Sequence, residues 1–126
     1  MRVISKSRLR AFWELSKHRD SEGPLRAWHT HVSNRSVAWR QWSDVKATFR
    51  TASHVGNCIV FNIGGNRYRL ATRIFYVSQK VFVLRVMTHA EYDDGTWKYE
   101  CGCYEPPPPT TKKRRPVPTS QRKGRS

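Results

Sequence analysis

The sequence predicts an α+β fold, with helices in its first half packed on a small antiparallel sheet in its second. Three observations carry this. Apolar residues recur at helical spacing up to Phe49, and from Asn57 the period becomes two. After Asp94 no period survives, and the chain runs through Pro106-Pro107-Pro108-Pro109 into KKRRP and SQRKGRS. That last stretch reads as a disordered basic tail: polyproline is stiff and extended, and the residues after it have too little apolar surface to fold.

Met1–Ile4 is short, with Val3 and Ile4 apolar, and suits an edge strand. Ser5 or Ser7 can cap a first helix that carries Leu9, Phe12, Trp13 and Leu15 on one face. Asp20-Ser21-Glu22-Gly23-Pro24 breaks it, and Pro24 suits the first turn of a second helix with Leu25, Trp28 and Val32 as its stripe. Helical spacing resumes at Trp39, Trp42, Val45 and Phe49, where Asp44 can cap a short turn.

Ile59–Ile63 is then a strand, and Gly64-Gly65-Asn66 a hairpin turn. In the next strand Tyr68, Leu70, Thr72 and Ile74 alternate against Arg67, Arg69 and Arg73. Val77-Ser78-Gln79 turns the chain into Lys80–Thr88, whose odd positions are Val81, Val83, Arg85, Met87 and, on continuation, His89. Three guanidiniums on one face, from Arg69, Arg73 and Arg85, are costly in a dry core, so that face is expected to be open to water or ligand. Gly95–Tyr99 suits at most a short extended piece. The domain is therefore placed at residues 1–100 and the tail at 101–126.

A chain of 126 residues fits one domain with a tail. Its formal net charge is +15, and the stretch from Pro106 to Ser126 holds seven basic residues and no acid. Between Val45 and Ala90 stand seven further cations and no carboxylate. A polyanion-binding surface has this character, since phosphates repel carboxylates and release counterions on meeting Lys and Arg. A merely solubilising surface mixes both signs.

No apolar run approaches the length of a membrane span, and the charged N-terminal segment is no secretory signal, so a cytoplasmic protein is expected. Cys58 reads as a small buried hydrophobe, and Cys101 and Cys103 as free thiols, because C-x-C without a second pair does not make a zinc site. His29 and His31 point about 200° apart on a helix and cannot share an ion. No metal or cofactor is expected.

Five ordered stretches carry a resemblance: MRVISKSRLRAFWE at the start, EGPLRAWH at 22–29, WSDVKATF at 42–49, VGNCIVFNIGGNRYRL at 55–70 and THAEYD at 88–93. The chain resembles the HigB family, RelE-like toxic components of type II toxin–antitoxin modules. The resemblance implies a RelE/ParE-like, microbial-RNase-type fold. It also implies ribosome-dependent cleavage of messenger RNA through attack by a ribose 2′-OH, and a partner antitoxin of the HigA-like helix-turn-helix kind.

Carried over by motif, Arg69 of Tyr68-Arg69 would grip the scissile phosphate, with Arg73 on a flanking one. His89 would move a proton, and Tyr92 would stack on a base or assist. Lys46, Asn62, Arg67 and Arg85 complete the expected RNA-binding set. The relatives carry lysines on the strand where this chain has Asn62, which leaves open which group is base and which is acid. Two alternatives share these residues: a non-enzymatic basic nucleic-acid-binding module and a ParE-like toxin that targets gyrase.

Overall fold

The computed structural model describes residues 1–104, so of the expected tail at 101–126 only residues 101–104 are described, and the rest lies outside the described residues. Five strands form one sheet in the order β1-β5-β4-β3-β2: β1 Arg2–Ile4, β2 Ser53–Val55, β3 Cys58–Ile63, β4 Tyr68–Phe75 and β5 Lys80–Thr88. The expected meander is there as β3, β4 and β5. However, β1 joins β5 in parallel, Val3 opposite Val81, so the sheet is mixed rather than antiparallel.

Helices α1 (Lys6–Trp13), α2 (Glu22–Val32) and α3 (Trp42–Thr48) pack on one face of the sheet. Leu9, Trp13, Leu25, Trp28, Val32, Trp39 and Val45 meet Ile59, Phe61, Ile63, Leu70, Val81 and Val83 there, as the apolar stripes require. Ser5 occupies the N-cap of α1 in a left-handed conformation and makes no side-chain cap bond.

Two departures matter for the site. Ala71 pairs with Arg85 but Thr72 with Val83, which leaves Leu84 as an extra residue in β5. Its carbonyl accepts a hydrogen bond from Arg8 Nη1 at 2.7 Å. A bulge resets the alternation. Val81 and Val83 therefore face the helices while Arg85 and Met87 face the other way, although all four are odd-numbered. The expected single odd-numbered face of β5 is thus split in two.

The second departure is that the other sheet face is covered. Here α4 (His89–Asp94), α5 (Trp97–Glu100) and residues 101–103 form a second small core. Trp97 and Cys103 are buried against Cys58, Val60, Ala71 and Met87. Cys103 is disulfide-bonded to Cys58, Cα atoms 5.1 Å apart, so it is not the free thiol expected; Cys58 is buried as expected but bonded, and Cys101 remains free. The Cys103 carbonyl accepts from the Asn57 N–H in the β2–β3 turn. A Cβ on Gly56, which has φ +57°, would strike that same carbonyl. Glycine is needed there for both reasons.

No helix of the described residues is long and apolar enough to cross a membrane.

Candidate functional site

At one end of the sheet the register gathers the C-terminal end of β3, the start of β4 and the end of β5. Asn62 lies opposite Arg69, Arg69 opposite Met87, and Tyr68 opposite Thr88. Residue 88 is where β5 stops, and the reason is local. Thr88 Oγ1 accepts from the Glu91 N–H at 3.2 Å, and Glu91 Oε1 accepts from the Thr88 N–H at 2.9 Å. This capping box turns the expected strand continuation into the first turn of α4. His89 is therefore the first residue of a helix and not the last of a strand.

Arg69 is the centre of this end, and it is not solvent-facing as expected: only 8% of its surface is exposed. The expectation of an open face failed because it gave residues 95–103, a short extended piece and the start of the tail, no part in covering the sheet. Trp97 packs beneath Tyr92, rings stacked with centroids 5.4 Å apart, and its indole N–H donates to the Tyr92 carbonyl at 3.0 Å. Tyr92, so held, places its ring 5.0 Å from the Arg69 guanidinium carbon.

Arg69 Nη1 donates to the carbonyls of Asn66, at 3.0 Å, and Tyr68, at 3.3 Å. No carboxylate of the described residues pairs with it. A buried guanidinium with only neutral partners retains unspent attraction for an anion. Asn66, which sequence reading assigned only to the turn, also accepts from Asn62 Nδ2 at 3.1 Å and so orders two predicted residues.

His89 is exposed at the rim, its Nε2 3.2 Å from Asp93 Oδ2 one helical turn on. That contact sets a carboxylate beside the imidazole on the surface of α4. Asp93 lay inside the quoted motif, but its partnership becomes visible only once residues 89–94 are helical, at i, i+4 spacing. Lys46 donates to the Ala52 carbonyl at 2.8 Å. Because Ser53 lies opposite Val60, Ala52 lies at the Asn62 end of β3, and Lys46 belongs to the same end of the sheet.

Of three further expected residues, one stands away from this end and two are held by carboxylates. Arg73 is four residues along β4, about 13–14 Å away at strand rise, opposite Phe82 and with its guanidinium 5.5 Å from the Phe75 ring. Arg85 is neutralised by Glu100 at 2.5 Å and Glu91 at 3.7 Å. Arg67 pairs with Asp20 at 2.5 Å, whose other oxygen accepts from the Tyr68 hydroxyl. Those two contacts, the Tyr68 hydrogen bond foremost, hold the Asp20 carboxyl below its ordinary pKa, while burial and Asp20 push the Tyr68 hydroxyl up.

The arrangement offers a partly enclosed cation, an imidazole beside a carboxylate and a stacked phenol at one sheet end. Among the described residues, no three His, Cys, Asp or Glu side chains converge as metal ligands would.

Most of these elements fall within a match to a known family. The family model of the HigB toxin, described as the RelE-like toxic component of a toxin–antitoxin system, matches residues 21–95. A 34-residue stretch is 53% identical to the mRNA interferase toxin HigB of Escherichia coli strain K12, covering 27% of this chain and 33% of that protein. The mRNA interferase HigB proteins of Escherichia coli O157:H7 and Shigella flexneri match to the same extent. The matched stretch thus spans about a third of these curated relatives. The family match takes in β2 to β5, α2 to α4 and the whole Arg69–His89–Tyr92 end, and on it the chain belongs to the HigB toxin family, RelE-like toxic components of toxin–antitoxin systems.

Proposed function

We propose that this toxin is an RNA endonuclease that cuts messenger RNA on the ribosome by metal-independent 2′-OH attack. One observation carries the reading: Arg69 is nearly buried, is held by two carbonyls and an aromatic ring, and has no carboxylate partner among the described residues. A phosphate is the anion that such a fork accepts.

In this mechanism a base removes the ribose 2′-OH proton and the 2′-oxygen attacks phosphorus. The bond from phosphorus to the 5′-oxygen breaks as an acid protonates that oxygen, leaving a 2′,3′-cyclic phosphate and a 5′-hydroxyl. Arg69 stabilises the charge that gathers on the phosphoryl oxygens. His89, at the rim, moves one of the two protons. Tyr92 fixes Arg69 from below and leaves its hydroxyl end for the second proton or for a base. Asn62 and Lys46 flank the path of the strand.

The partner that silences the toxin is an antitoxin, here taken as HigA-like, and the compartment is the cytoplasm.

Mapping the 5′ ends of cellular transcripts after induction tests the reading, with Arg69→Ala and His89→Gln beside the parent. New ends inside translated regions, absent in both variants and carrying the cyclic phosphate on the upstream fragment, are expected. Growth arrest with intact transcripts would remove the nuclease reading in favour of a gyrase-directed toxin or a non-enzymatic binder.

A further inference from the structure

At the opposite end of the same sheet face, Arg73, Phe75, Ser78, Lys80, Phe82 and Leu84 line an open groove of about 430 Å³. Phe75 opposes Lys80 in the register and is 42% exposed, and its ring meets Phe82 edge to face with centroids 5.4 Å apart. The Arg73 guanidinium lies over Phe75. Neither Arg73 nor Lys80 has a carboxylate partner among the described residues, and no acid lines the groove.

This pair of cations contrasts with the rest of the face. In the middle, above α5, Glu91, Asp94 and Glu100 stand around Arg85. Polyanions are repelled from that middle and attracted to its two ends. An exposed aromatic beside an unpaired guanidinium and an ammonium is the combination that holds a single-stranded nucleic acid: the ring and the guanidinium plane take a base face, the charges take phosphates. A protein segment would also fill an apolar groove, but an apolar anchor gains nothing from two unpaired cations unless it is acidic as well.

We infer that the Phe75–Phe82 groove is a second single-stranded RNA subsite, which stacks a base of the messenger outside the bond being cut. Arg73, expected at the cleavage site from the sequence, belongs to this subsite instead. The inference rests on the RNA-directed reading of the Arg69 end, but its test does not require cleavage.

The probe is a 2′-O-methylated oligoribonucleotide, which lacks the attacking hydroxyl, titrated against the full chain across a salt series. Phe75→Ala with Phe82→Ala should weaken binding between about fivefold and 150-fold at fixed salt. Arg73→Gln and Lys80→Gln should each flatten the log–log salt slope by about 0.7. Val77→Ala, fully exposed in the adjacent turn, should change neither. If the double phenylalanine variant fails to fold by circular dichroism, the two charge variants decide. Unchanged affinity and slope would overturn the subsite, and doubly so if those variants lost capture of the co-expressed antitoxin, which would make the groove a protein contact. If the parent leaves transcripts intact while the groove variants lose affinity for the oligonucleotide, the cleavage reading fails and the subsite stands.

Discussion

Arg69 and Arg85 stand on the same sheet face, on adjacent strands, and differ in nearly everything else. Arg85 meets Glu100 and Glu91, and its side chain is 37% exposed. Arg69 is nearly buried and meets only carbonyl oxygens and the Tyr92 ring. An exposed ion pair is worth about 0–1 kcal/mol and is already complete. A shielded cation without a counter-ion is a place where an incoming anion gains most. Residue type and strand face do not distinguish these two arginines; their partners do, and the proposed role of Arg69 rests on that difference.

The largest effect expected of the rim concerns His89. His89→Gln preserves some hydrogen bonding but carries no proton near neutral pH, so the chemical step should slow by about 10²–10⁴-fold. Single-turnover cleavage on saturated ribosomes measures it, and parent-like rates would reduce His89 to a helix-start residue.

Next comes the layer that shields Arg69. The Cys58–Cys103 bond closes a separation of 45 residues, for which chain entropy suggests roughly 4 kcal/mol at most and 2–4 kcal/mol is typical. Urea midpoints with and without reductant test this; coincident curves would mean that packing alone holds the layer. Gly56→Ala should cost about 1–2 kcal/mol for its left-handed backbone and more for the Cys103 carbonyl it would meet. An unchanged midpoint would show that the turn can relax.

The smallest effect belongs to Asp20. Its folded pKa lies below the ordinary carboxylate value, so its stabilising contribution is complete above that value and is lost as pH falls through the folded pKa. Asp20→Asn should therefore flatten the acid limb of stability against pH without altering stability differences above pH ~5. An unchanged acid limb would mean that Arg67 and Tyr68 gain nothing from that carboxylate. The basic stretch 106–126 lies outside the described residues, and its deletion should lower ribosome affinity and its salt dependence but not the cleavage rate at saturation. A collapsed rate would instead carry that stretch into the catalytic site.

Much of the helical half was legible, because Leu25, Trp28 and Val32 fall at i, i+3 and i+7, a spacing that a strand's alternation does not satisfy. The β3–β4 hairpin was legible from Gly64-Gly65-Asn66 and the alternation after it. Strand β2 was not: Ser53-His54-Val55 is too short to show a period and owes its place to pairing with Ile59 and Val60. The bulge at Leu84 was hidden because Lys80–Thr88 reads as an unbroken alternation until its partner strand is known. Helix α4 was masked by the apolar run before it, although Thr88 and Glu91 stand at capping-box spacing. At the site, the motif led to Arg69 and Tyr92, whose guanidinium and ring lie 5.0 Å apart, and to His89, three residues before Tyr92 on α4. What shields Arg69 was out of reach, since Trp97 and Cys103 sit in a polar stretch with no periodicity, and only tertiary contact gives them a role.

The central claim is that Arg69, and not its paired neighbour Arg85, is the phosphate-binding cation. One comparison tests it directly: single-turnover RNA cleavage on saturated ribosomes by Arg69→Ala and by Arg85→Ala, each first shown to fold by circular dichroism. Loss of one preorganised charge contact in the transition state should slow Arg69→Ala by about 10²–10³-fold, while Arg85→Ala stays within a few fold of the parent. Equal losses in the two variants, or an Arg69→Ala protein that cleaves like the parent, would contradict the account.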